Sequence, residues 1–118
     1  MAKPTHPAVG EIEKEFAGRL VERFGAGLEK VILFGSRAKG RAKPWSDYDL
    51  LIVVARKDRK LIDDIYDLVT EFLLNYGADI SLKIYAAGDF TRKMDLPTPF
   101  MQRIQETGVI LWSRTSEK

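Results

Sequence analysis

The chain of 118 residues carries 19 Lys and Arg against 17 Asp and Glu, a formal net charge of +2, with 45% apolar and 31% charged residues. This balance fits one soluble globular domain with a single core and argues against direct nucleic-acid binding by a polycationic surface. The absence of cysteine excludes disulfides, thiolate metal sites and cysteine nucleophiles. In chain order, residues 1–8 read as a flexible leader that holds the single histidine, His6. No apolar signal core follows Met1, and the longest apolar run, Leu50 to Ala55, is far below the ~18 residues of a membrane helix, so the cytoplasm is the expected location. Ile12, Phe16, Leu20 and Phe24 recur every fourth residue, which predicts an amphipathic helix ended near Gly25 and Gly27. Val31 to Phe34 predicts a buried strand, residues 36 to 41 a short helix opened by Ser36, and Tyr48 to Val54 a second buried strand. Leu61, Ile62, Ile65, Leu68, Val69, Phe72 and Leu73 mark a long amphipathic helix stopped at Gly77. Asp79 to Tyr85 alternates as a third strand. A helix around Pro99 to Thr107 and an apolar run, Val109 to Trp112, close a single domain over 9–113, with 114–118 as a flexible tail.

This order decides where the acidic groups meet. The second and third strands, joined by a helix, are expected to run parallel. Their starts, carrying Asp47 with Asp49 and Asp79, then lie side by side. If the first strand runs antiparallel to the second, its end, carrying Gly35-Ser36, reaches the same rim. Asp47 and Asp49, spaced i and i+2, share one face of their strand.

Crowded carboxylates repel: two unit charges about 4 Å apart cost roughly 4 kcal/mol at an effective dielectric near 20. Cations among them, or protons on them, relieve this cost. Magnesium takes oxygen ligands and shares its shell with substrate phosphates, so Asp47 and Asp49 are candidate ligands of Mg²⁺ on a nucleoside triphosphate. Asp79 is a candidate ligand of a second ion or a general base for the attacking hydroxyl. Gly35 permits close approach of backbone to phosphate, and Ser36 adds a hydroxyl beside oriented amides. Arg37, Lys39, Arg41 and Lys43 crowd seven residues; they either neutralise the phosphates, Arg37 first, or form ion pairs with the aspartates on a solvated loop. Trp45 either stacks on a base or a partner or, as is commoner for one tryptophan beside a turn, is packed, the outcome expected here; Tyr48 faces the core.

The stretch Leu33-Phe34-Gly35-Ser36-Arg37-Ala38-Lys39-Gly40, ten residues from Ser36 to Asp47, then Asp47-Tyr48-Asp49-Leu50, resembles the signature of the minimal nucleotidyltransferases (MNT) of the DNA polymerase β-like superfamily. Asp79-Ile80-Ser81-Leu82 is similar to the family's third carboxylate segment, and Glu106 to Trp112 to its usual close. The resemblance runs from Ile12 to Trp112. It implies an α/β (α+β) nucleotidyltransferase fold, a small mixed sheet flanked by helices, that transfers a nucleoside monophosphate with Mg²⁺, by two ions, and ATP as the expected substrate. It also implies a setting. Small members pair with a separate helical HEPN protein in toxin–antitoxin modules, where the MNT protein is the antitoxin and adenylylates a tyrosine of the toxin. Larger relatives carry an added acceptor-binding domain, so here a second protein is expected to supply the acceptor. Two functions stay open: a protein adenylyltransferase, or a non-catalytic antitoxin that neutralises a HEPN partner by covering it. The sequence leaves homo-oligomerisation open.

Overall fold

The computed structural model describes residues 10–96 and 98–114. The leader read over 1–8, with His6, and residues 115–118 of the tail lie outside the described residues. Four helices and four strands follow one another as α1 (Glu11–Phe24), β1 (Leu28–Phe34), β2 (Tyr48–Val54), α2 (Arg59–Tyr76), β3 (Ile80–Ala86), α3 (Ala87–Asp95), α4 (Pro99–Thr107) and β4 (Val109–Ser113). A short 3-10 turn, Gly25–Gly27, joins α1 to β1. The strands form one mixed sheet in the order β3-β2-β1-β4. β1 pairs antiparallel with β2 and with β4, while β2 and β3 run parallel.

Burial on both faces explains why β2 reads as an unbroken apolar run rather than an alternation. Leu50, Ile52 and Val54 face α1 and α2, in a core with Phe16, Leu20, Ile65, Leu68 and Phe72. There the rings of Phe16 and Phe72 meet edge to face at 5.1 Å, an arrangement the aromatic quadrupole favours. Leu51 and Val53 point the other way, into a smaller core with Ile32, Phe90, Met101 and Ile104 under α3 and α4. Asp49 and Asp47 precede Leu51 at the two-residue period, so the α3/α4 face is the face of the acids.

The long helix α2 is closed at both ends by its own sequence. Asp58 caps the start, its carboxylate accepting from the Leu61 amide at 3.0 Å, and Gly77 ends it at φ +66° with its amide on the Leu73 carbonyl. Asp58→Ala should cost about 1 kcal/mol, lowering Tm by roughly 4–5 °C for a domain of this size in a thermal melt. An unchanged Tm would mean that packing of Ile65, Leu68 and Phe72 alone holds the first turn.

Two segments depart from the sequence reading. Residues 36–40 form consecutive turns, not a helix: Lys39 N–H donates to Gly35 O at 3.2 Å and Arg41 N–H to Ser36 O at 2.9 Å. Gly40 at φ +72° and Pro44 prevent the coil from lengthening. Conversely, Ala87–Asp95 is a helix the periodicity did not predict. Its only apolar signal beyond alanine is Phe90 and Met94, four apart, and both pack on the second core. Arg114, read as the first tail residue, is tied to the fold: its amide donates to Glu29 O at 2.8 Å and its Nε to Leu28 O at 2.9 Å.

Candidate active site

The rim expected from the strand order is present. Tyr48 aligns with Ile80, and the Tyr48 amide donates to the Asp79 carbonyl at 2.9 Å. One residue back along both strands, Asp47 stands opposite Asp79. On the other side of β2, Phe34 at the end of β1 aligns with Asp49. Gly35 follows at φ +79°, and a Cβ placed on it would lie 2.4 Å from Asp49 Oδ2. Gly35 is therefore required twice, for its left-handed backbone and for the space the carboxylate occupies. The turn amides after Gly35 and the Asp49 carboxylate are brought together by that missing atom.

Asp49 is half-buried and Asp47 exposed. Burial, and then the neighbouring charge of Asp47, push the Asp49 carboxyl above its ordinary value, while Lys83 pulls it back down. Lys83 lies on β3 four residues beyond Asp79, hence on the same face. The sequence reading passed over it as one polar member of an alternating strand; the signal available was its i+4 spacing from Asp79.

The donor set suits a hard cation. Asp47 and Asp49 offer carboxylate oxygens whose mutual repulsion a divalent ion would relieve. Among the described residues, no group of three or more Asp, Glu, His or Cys side chains is placed to hold a metal ion. Asp79 reaches the same rim, exposed, without closing a three-carboxylate cage with the pair. Two carboxylates completed by substrate phosphates and water is the arrangement Mg²⁺ commonly takes.

Arg37 is placed differently from the phosphate-facing residue anticipated. Its Nε and one terminal nitrogen donate to Ser46 O at 3.2 and 2.7 Å, and the same terminal nitrogen reaches Lys43 O and Pro44 O at 3.3 and 3.4 Å. Its guanidinium also stacks 3.7 Å above the centroid of the Tyr48 ring. These contacts brace the loop that leads into Asp47. Ser46 closes that loop, its hydroxyl accepting from the Lys43 amide at 2.9 Å. Trp45, expected to be packed, is 78% exposed, with the Lys43 ammonium 5.9 Å from its ring centroid. No Arg or Lys of the loop forms an ion pair with Asp47 or Asp49, so the surface-pairing alternative is not observed among the described residues.

Comparison with known proteins gives the chain a family. The nucleotidyltransferase domain family matches residues 13–97. A protein of Methanocaldococcus jannaschii provisionally named a protein adenylyltransferase is 35% identical over 88 residues, 72% of this chain and 60% of that protein. The chain thus spans less than two thirds of that relative's length. A second provisionally named protein adenylyltransferase of the same organism is 34% identical over 99 residues, covering 84% of this chain and 93% of its own length. Among solved structures, a chain of a toxin–antitoxin complex with AMP-PNP superposes with a TM-score of 0.58 at 19% identity, over 85% of this chain and 73% of that one. A chain of the complex between tri-AMPylated HEPN toxin of Shewanella oneidensis and its MNT antitoxin gives 0.51 at 16%, over 86% and 71%. At those identities the superpositions speak for the fold, a mixed four-stranded sheet flanked by helices.

Proposed function

Because the chain belongs to the nucleotidyltransferase domain family, we propose that it transfers a nucleoside monophosphate, AMP from ATP, to a hydroxyl of a partner protein. The observation that carries this reading is the convergence of Gly35, Ser36, Asp47 and Asp49, with Asp49 filling the space a Gly35 side chain would take. Asp47 and Asp49 hold Mg²⁺ in this reading, and the ion offsets the charge of the triphosphate when bound. Gly35 and the turn amides after it lie against the phosphates, with the Ser36 hydroxyl as a further donor. Asp79, opposite Asp47, receives the proton of the attacking hydroxyl or ligates a second ion. The partner is a HEPN-type protein acting as toxin, with this chain as its antitoxin. The relatives named as protein adenylyltransferases support transfer to a protein, and the toxin–antitoxin complexes that share the fold support that setting.

Calorimetric titration of ATP with and without Mg²⁺, beside the Asp47→Asn/Asp49→Asn double variant, tests the site first. Metal-dependent binding that the double variant loses is the expected result. Addition of a HEPN protein and ATP labelled at the α-phosphate should then place label on the HEPN chain. If the wild-type protein binds no ATP and labels no partner, yet still neutralises it, the chain acts by covering and the transfer reading fails.

A further inference from the structure

A cavity of about 180 Å³ opens directly beside Gly35. Its floor is Phe34, Phe100 and Ile104, with the two rings edge to face at 5.3 Å, and its charged walls are Lys39 and Arg103. Among the described residues, no acidic side chain lines it. Among the described residues neither cation has an ion-pair partner, whereas Arg19, Arg23, Arg59 and Arg92 each do. Both cations spring from anchored backbone. The Lys39 amide is hydrogen-bonded to Gly35 O, and Arg103 sits on α4 between the buried Met101 and Ile104.

Sheet order gives this cavity a direction. In the order β3-β2-β1-β4, Asp79 and Lys83 stand on one side of the Asp47/Asp49 pair and Gly35 on the other. Phosphoryl transfer is roughly in line, so the attacking oxygen and the leaving oxygen lie on opposite sides of the phosphorus. With the acceptor hydroxyl on the Asp79 side, the leaving group points past Gly35 toward the cavity. Resting on the transfer reading above, we infer that Lys39 and Arg103 form the receiving site for the nucleotide's β,γ-diphosphate, and that Arg103 is a catalytic residue outside every motif of the chain. In the step itself the acceptor oxygen bonds to the α-phosphorus and the bond from that phosphorus to the bridging oxygen breaks. The bridging oxygen keeps the electron pair and departs as pyrophosphate, and the hydroxyl proton passes to Asp79 or water. Negative charge thus grows beside two exposed cations, Lys39 and Arg103, that stand over an apolar floor and stabilise it.

Binding of ATP, AMP and inorganic pyrophosphate, each with Mg²⁺, to the wild-type, Arg103→Gln and Arg103→Lys proteins tests this. Arg103→Gln should weaken ATP and pyrophosphate about tenfold, the loss of one charge-assisted contact, and leave AMP affinity and Tm unchanged. Arg103→Lys should recover part of the loss. If the wild-type protein binds ATP and Arg103→Gln binds it equally well, or loses AMP to the same extent, the assignment of Arg103 is wrong while the transfer reading stands. If the wild-type protein binds no ATP, the transfer reading fails and this assignment with it.

Discussion

Asp49→Asn should abolish nucleotidyl transfer and at the same time raise the stability of the metal-free protein. On the proposed function, the activity loss follows from removing a carboxylate that would hold the divalent ion. Charge stabilisation by such an ion is worth several kcal/mol, and each 1.4 kcal/mol is tenfold in rate, so transfer should fall at least about 10³-fold. The stability gain follows from the raised Asp49 carboxyl. A carboxyl whose folded value exceeds its ordinary 3.8 favours the folded state at pH below that value. That contribution is lost as pH rises through the higher folded value, so at neutral pH the half-buried charge beside Asp47 is a cost. Asparagine removes the cost and keeps the shape. Metal-free melts at pH 7 should therefore show a higher Tm for the variant, with the gap shrinking as pH falls through the carboxylate range. Mg²⁺ with ATP should raise the Tm of the wild type and leave the variant unmoved. A variant less stable than wild type at pH 7 would mean that Lys83 offsets the repulsion fully.

Gly35→Ala carries the second large effect. An L-residue at φ +79° costs about 1–2 kcal/mol in backbone strain. The added methyl also meets the Asp49 side chain along its length, at 2.4 Å from Oδ2, 3.2 Å from Cγ and 3.3 Å from Cβ. Either the carboxylate or the end of β1 must shift. A displacement near 1 Å in a reacting group can cost about 10²-fold in rate, so kcat should fall by that order while the protein still folds. Gly40→Ala separates the two causes. Gly40 has nearly the same backbone, φ +72°, with no atom within 4 Å of an added Cβ. Its alanine variant should lose comparable stability and keep most of its transfer rate. Equal loss of activity in both variants would assign the effect to turn strain alone.

The sequence carried the fold well where burial has a period. α1, α2 and α4 announce themselves by apolar residues three and four apart, and β2 by a run longer than any exposed strand would hold. The antiparallel pairing of β1 with β2, needed to bring Gly35 to the acids, was legible only as a condition, since either direction suits a buried strand. The α3 helix was hidden because two apolar residues, Phe90 and Met94, are too few to display a period. At the site, the GS and DxD spacing located Gly35 and Asp49, but not their direct contact. That contact depends on the Phe34–Asp49 register, which pairing sets and local sequence does not. Arg37 and Arg103 show the limit most clearly. One arginine adjoins the glycine-serine pair and turns its donors onto loop carbonyls. The other lies 68 positions from Gly35 in the chain and stands in the cavity wall beside it.

The bracket that Arg37 throws across to Ser46 also closes a ring. Its circumference is the covalent chain from 37 to 46, and its clasp is a guanidinium gripping the carbonyls of Lys43, Pro44 and Ser46 at the far end. Inside such a ring the number of links is a dimension of the part, as in a fitted washer. A residue added between Lys39 and Pro44 must either be extruded as a blister or spring the clasp, and the aspartate next in line would lose its fixed approach. The ten-residue interval between the serine and the first aspartate is thus a gauge length set by one side chain's reach.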